Sequence, residues 1–101
     1  MIEQVKRGAE LLDRVEPDWH NHIDVDTFRL DSTETCIIVQ LFGGYCKGLF
    51  DHLGFDHGDQ QDKHHGFDVI HRGRTLGEIE EDYNAGQAAW LAEIKQRKEA
   101  R

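Results

Sequence analysis

The segment TCIIVQLFGGYCKGLFDHL, Thr35 to Leu53, has two readings, and the fold class turns on which is right. Its first half is rich in β-branched residues and suits a buried strand, with Gly43 and Gly44 as a hairpin turn. Its apolar spacing favours a helix, because Ile38, Leu41, Phe42, Tyr45 and Leu49 form one stripe over three turns. A strand ending at Gly43 would leave Tyr45, Leu49, Phe50 and Leu53 unexplained. The region from about Thr33 to Leu53 is therefore expected to be helical. Asp31 and Ser32 are N-cap candidates, and Glu34 stands three residues after Asp31 in capping-box fashion. Each internal glycine would cost about 1 kcal/mol relative to alanine. A bend or a close helix approach would account for that cost.

Outward from this segment the signals are clearer. Leu76 to about Lys98 reads as a long helix. Thr75 with Glu78 makes a capping box, acids crowd the first turns, and Lys95, Arg97 and Lys98 crowd the end, which suits the helix dipole. Its stripe is Leu76, Ile79, Tyr83, Gly86, Trp90 and Ile94, with Ala85, Ala88, Ala89 and Ala92 on the flanks. Ile2 to about Val15 is a second amphipathic helix, with Val5, Ala9 and Leu12 on its stripe and Glu3–Arg7 and Glu10–Arg14 as i,i+4 pairs. Pro17 stops it. Asp18 to Ser32 reads as a connector pegged by Trp19, Ile23, Phe28 and Leu30, with a helical turn near Val25–Phe28. Gly54 to Arg74 reads as a long irregular loop, of which Phe67–Ile70 docks back onto the core. The expectation is a single mainly-α domain over 1–101: two to three amphipathic helices and a His/Asp-rich loop before the C-terminal helix.

The 101 residues carry 20 Asp plus Glu against 12 Lys plus Arg, a net charge of −8. That argues against direct nucleic-acid or anionic-membrane binding. No run approaches the roughly 20 apolar residues of a membrane span. MIEQVKRGAELLDR is charged throughout and lacks the apolar core of a secretion signal, so the expected compartment is a reducing cytoplasm. Cys36 and Cys46 would stand about 15 Å apart on a straight helix, too far for a disulfide, and read as half-buried packing residues.

The pattern GAELLD (Gly8–Asp13), PDW (Pro17–Trp19), IDVDTF (Ile23–Phe28), C-x-x-x-QLFGGY (Cys36–Tyr45) and AAWLAEI (Ala88–Ile94) resembles small proteins of actinobacteria and their phages. The resemblance spans most of the chain apart from 51–66. It implies a helical C-x-x-x-QL-[FY]-G segment and a small, phage-borne accessory protein working inside a bacterial cell. The group has no assigned activity, so no functional residue carries over.

Two constellations carry chemistry. His52, His57, His64, His65 and His71 cluster with Asp51, Asp56, Asp59, Asp62 and Asp68. Imidazole and carboxylate are ligands for a divalent transition metal such as Zn, and His52, His57, His64 and His65 are the candidates. Their spacing matches no standard pattern. The second constellation is the acidic charge itself. Asp56, Asp59 and Asp62 in the loop, with Glu78, Glu81 and Asp82 on the last helix, are the candidate contacts for a basic protein partner. No nucleotide-binding or serine-hydrolase motif occurs. The leading expectation is thus a non-enzymatic protein, without a cofactor, that binds and inhibits or redirects a bacterial protein, such as a nucleic-acid-binding one. A metal protein or metalloenzyme, and a structural homo-oligomer built on the first helix, are the alternatives.

Overall fold

The computed structural model describes residues 1–56 and 60–100. His57 and Asp59 lie outside the described residues. The described chain is mainly α, with no strand. The helices are α1 (Ile2–Val15), a 3₁₀ turn (Trp19–His22), α2 (Ile37–Phe42), α3 (Tyr45–Lys47) running into a π turn (Gly48–His52), α4 (Gln61–His64) and α5 (Leu76–Glu99).

α5 forms as expected. Glu78 N–H donates to Thr75 Oγ1 at 3.1 Å and Thr75 N–H donates to Glu78 Oε1 at 2.9 Å, closing the capping box. Gly86, Trp90 and Ile94 are buried, but Leu76 lies outside the core at 86% exposed. α1 buries Val5, Ala9 and Leu12 completely and packs along α5. Its expected i,i+4 ion pairs do not form: Arg7 Nε donates to the His64 carbonyl at 2.9 Å. Arg97 pins the two helices, donating to both Asp13 oxygens at 2.9 and 2.8 Å and to Glu93 Oε1 at 2.9 Å. Its guanidinium lies 5.5 Å from the Trp19 ring centre.

The region from Thr33 to Leu53 is helical but broken. Asp31 and Ser32 do not cap it: Cys36 is the N-cap residue, and Ser32 Oγ instead accepts from Glu34 and Thr35 N–H. Gly43 ends α2 at φ 85°, a left-handed cap that glycine adopts without a Cβ penalty. The chain bends there and resumes as α3. The π turn closes with Leu53 N–H on Gly48 O at 3.0 Å.

The core is aromatic. Trp19 and Trp90 meet edge to face at 5.7 Å, and Phe67 stacks on Trp90 at 5.3 Å. Trp90 Nε1 donates to Gly66 O at 2.7 Å, and Trp19 Nε1 to Asp13 Oδ1 at 2.9 Å. Phe67 and Val69 dock as expected, whereas Ile70 remains 50% exposed. α1 can approach the 65–66 turn only because residue 8 is glycine: a Cβ there would sit 2.0 Å from His65 O.

The connector holds its shape through two side-chain amides. Gln87 accepts from Leu30 N–H and donates to Phe28 O, both at 2.7 Å. Gln40 accepts from Asp24 N–H at 2.7 Å and donates to Thr35 O at 2.8 Å. These bonds replace the ladder that irregular backbone lacks. The turn near Val25–Phe28 is present, with Phe28 N–H on Asp24 O at 3.0 Å.

Candidate functional site

The loop before α5 is organised by a chain of polar side chains that starts on α3 and ends after α4. Tyr45 O–H donates to Asp62 Oδ2 at 2.8 Å. Lys63 Nζ stands 3.8 Å from Asp62 and 3.6 Å from Asp68. Tyr83, on α5, donates to Asp68 Oδ1 at 2.7 Å. The His71 Nε2 lies 3.0 Å from the same hydroxyl. A phenol has one proton, and Tyr83 directs it at the Asp68 carboxylate, so its oxygen is left to accept from His71 Nε2–H. Burial, reinforced by the neighbouring Asp62, pushes the Tyr45 phenol far above its ordinary value. Burial and the Asp68 bond push Tyr83 up in the same way.

Beside this chain opens a cleft of about 480 Å³, lined by Gln60, Lys63, His64, Asp68, Ile70, His71 and Arg72. Ile70 also borders a second depression of about 280 Å³, which reaches Met1, Arg74 and Asp82.

The six candidate contact acids divide. Asp62 is bonded to Tyr45, Glu78 closes the capping box, and Asp82 takes Arg74 Nη2 at 3.1 and 2.9 Å. These three are engaged by the fold. Asp56 and Glu81 are exposed, and Asp59 lies outside the described residues. The four candidate metal histidines are also dispersed. The His52 ring stacks on Phe42 at 4.5 Å. His65 places Nδ1 2.8 Å from Gln61 O, between Phe55 and Phe67. His64 lines the cleft, and His57 lies outside the described residues. Among the described residues no three His, Cys, Asp or Glu converge in metal-binding geometry. Both cysteines are free. Cys36 is buried, and burial raises its thiol, but Cys46 is exposed rather than half-buried.

A different surface has no counterpart among the expected sites. Between α1 and α5 runs a mostly apolar furrow of about 440 Å³, lined by Ile2, Val5, Ala85, Ala88, Ala89 and Ala92 together with the charged Lys6 and Glu93. Ile2 stands 63% exposed on its wall. The alanines were legible as helix flanks, but only the packing of α1 shows that they line a furrow.

Comparison of the chain with protein-family models, curated proteins and solved structures finds no match in any of the three. No described helix is long and apolar enough to cross a membrane.

Proposed function

We propose that the chain acts in a bacterial cytoplasm by binding another protein, and that a helix of that partner lies in the α1–α5 furrow. The observation that carries this reading is the furrow itself, an open, mostly apolar groove beside a 63% exposed isoleucine. Exposed apolar surface of this kind marks interaction sites on small proteins. Alanine walls let a partner helix approach closely, with Ile2 as an anchor. The net charge of −8 favours a basic partner, such as a nucleic-acid-binding protein, and speeds its encounter. Of the candidate acids, Glu81 continues the exposed row Glu81, Ala85, Ala88, Ala92, Lys95.

The test uses a partner captured from a host lysate, purified, and titrated against the chain and its Ala88→Arg variant. Ala88 is exposed on α5, so the arginine leaves the core intact. The variant is expected to bind at least about tenfold more weakly, a loss of about 1.4 kcal/mol. Equal affinity would overturn the proposal.

The charge split of α5 favours a second reading, in which the partner is another copy of the chain. Exposed Glu80 and Glu81 stand at one end, exposed Lys95 and Lys98 at the other. Two antiparallel copies would set acid against base across the alanine row. Native mass spectrometry of the untagged chain separates the readings. A dimer that Ala88→Arg dissociates supports self-pairing, whereas a monomer leaves the furrow to a different protein. The same spectrum reads stoichiometric metal, which would redirect attention to His52, His57, His64 and His65.

A further inference from the structure

The cleft beside α4 lies apart from the furrow and has its own chemistry. Arg72 is exposed at its mouth, and no described residue pairs with its guanidinium. Acids outnumber bases 20 to 12 in this chain, and Arg29, Arg74 and Arg97 each hold a carboxylate. Arg14 on α1 is also without a described carboxylate, but it is Arg72 that lines this cleft, where it offers a planar fork of donors to an incoming oxyanion. Lys63 lines the same cleft, and its ammonium has three donors while its two carboxylate neighbours stand at 3.6 and 3.8 Å, beyond good hydrogen-bond length.

The acid in the cleft is already answered from within the fold. Asp68 accepts a hydrogen bond from Tyr83 O–H at 2.7 Å and faces Lys63. Lys63 and Arg72 stand against Asp68 in the lining and Asp62 just behind Lys63, so the cleft is close to neutral in a chain of net charge −8, and Arg72 is the lining cation that no described carboxylate holds. Gln60 adds an amide whose side chain bonds to no described residue. Its backbone is held at φ 63°, a conformation that non-glycine residues adopt at a cost and that concentrates at ligand sites. Ile70, half exposed, supplies an apolar wall. A volume of about 480 Å³ falls within the range of small-molecule sites.

We propose that this cleft binds a small organic anion, gripping its phosphate or carboxylate group between Arg72 and Lys63 while Ile70 packs against its body. Both groups offer the same oxyanion chemistry, and the experiment distinguishes them. The ¹⁵N-labelled full chain is titrated at constant ionic strength with inorganic phosphate in one arm and with succinate in the other. The expected result is saturable amide shifts confined to residues 60–72 in at least one arm. Saturation by phosphate alone assigns a phosphorylated ligand, and saturation by succinate alone assigns a carboxylate.

Arg72→Gln, at an exposed position without a described partner, should keep the fold and weaken the responding anion at least about tenfold, the scale of one charge-assisted bond. Arg14→Gln, at another exposed arginine on α1, should leave it unchanged. Failure to saturate in both arms would overturn the proposal. So would shifts spread over all basic surfaces, or an Arg72→Gln variant that binds like the parent.

Discussion

Gly8→Ala and Gly77→Ala make the same chemical change on two helices, and the structure requires opposite outcomes. In an exposed helix either change should stabilise, since alanine is favoured over glycine by about 1 kcal/mol. At Gly77, in the first turn of α5, nothing lies within 4 Å of the added methyl, so a gain of about 0.5–1 kcal/mol should appear. At Gly8 the new Cβ meets His65 O at 2.0 Å, about 1.4 Å inside ordinary contact. The obstacle is backbone. It belongs to a turn whose next carbonyl, Gly66 O, holds Trp90 Nε1 at 2.7 Å. Either α1 withdraws from α5 or the turn moves and lengthens that bond. Overpacking of this kind costs about 1–3 kcal/mol, more when backbone must move. Because backbone must move, the upper end of about 3 kcal/mol applies; less the propensity gain of about 1 kcal/mol, Gly8→Ala should lose about 2 kcal/mol net, whereas Gly77→Ala should gain about 0.5–1 kcal/mol. For a chain of this length, about 2 kcal/mol is roughly 8–16 °C in Tm. Thermal and urea melts by circular dichroism would read both. A Gly8→Ala protein as stable as the parent would refute the close approach of α1 to the 65–66 turn.

Gln87→Leu should cost about 1–3 kcal/mol in urea melts, because it strips Leu30 N–H and Phe28 O of their partner together; a loss below about 0.5 kcal/mol would deny the clamp. The Arg97 hydrogen bond, aided by Trp19 and opposed in part by burial, lowers the Asp13 carboxyl below its ordinary 3.8. A depressed carboxyl adds stability that is fully present above the unfolded value of about 4 and fades as pH falls through the folded one. Asp13→Asn should therefore be less stable than the parent at neutral pH and converge with it in acid, and parallel stability curves would exclude the linkage. Tyr45 and Tyr83 are the only two tyrosines, and both are raised. Absorbance at alkaline pH should show no phenolate step near pH 10 in the folded chain and a full step in denaturant. Their contribution to stability is complete below about pH 10 and declines as pH rises above it. A step near pH 10 in the folded chain would place the phenols in solvent.

What was legible in the sequence was what local pattern decides. α1 and α5 carry their stripe, cap and charge bias within their own residues, and both formed within a residue or two of the expected bounds. Thr33 to Leu53 yielded its type but not its boundaries, because the pattern does not tell whether a glycine continues a helix or caps it, and Gly43 caps it. The connector was harder still. Its form depends on Gln40 and Gln87, which reach 16 and 57 residues along the chain for their partners. The His/Asp loop stood out by composition, yet the side chains that hold it include Tyr45 and Tyr83, which read as helix-stripe residues. Their hydroxyls became polar partners only when the fold set Asp62 and Asp68 beside them. Leu76 fitted the α5 stripe but lies about two turns before Tyr83, the first α5 residue packed against the core.

α5 shows why a packed core and an open surface coexist in so short a chain. On one face Tyr83, Gln87, Trp90, Ile94 and Arg97 recur at spacings of four and three, and each ties down a different piece: Asp68, the 28–30 connector, Gly66, the core and Asp13. Shifted by two positions, about 200° around the helix, runs the exposed row Glu81, Ala85, Ala88, Ala92, Lys95. A solvent face with no further task usually carries long charged side chains, which keep small domains soluble. Here the charges stand at the two ends and the middle is alanine, beside an exposed isoleucine from α1. The inner row carries the hydrogen bonds that tie α5 to Asp68, the connector, Gly66 and Asp13. A substitution on the outer row therefore tests recognition without testing the fold, and one on the inner row tests both at once.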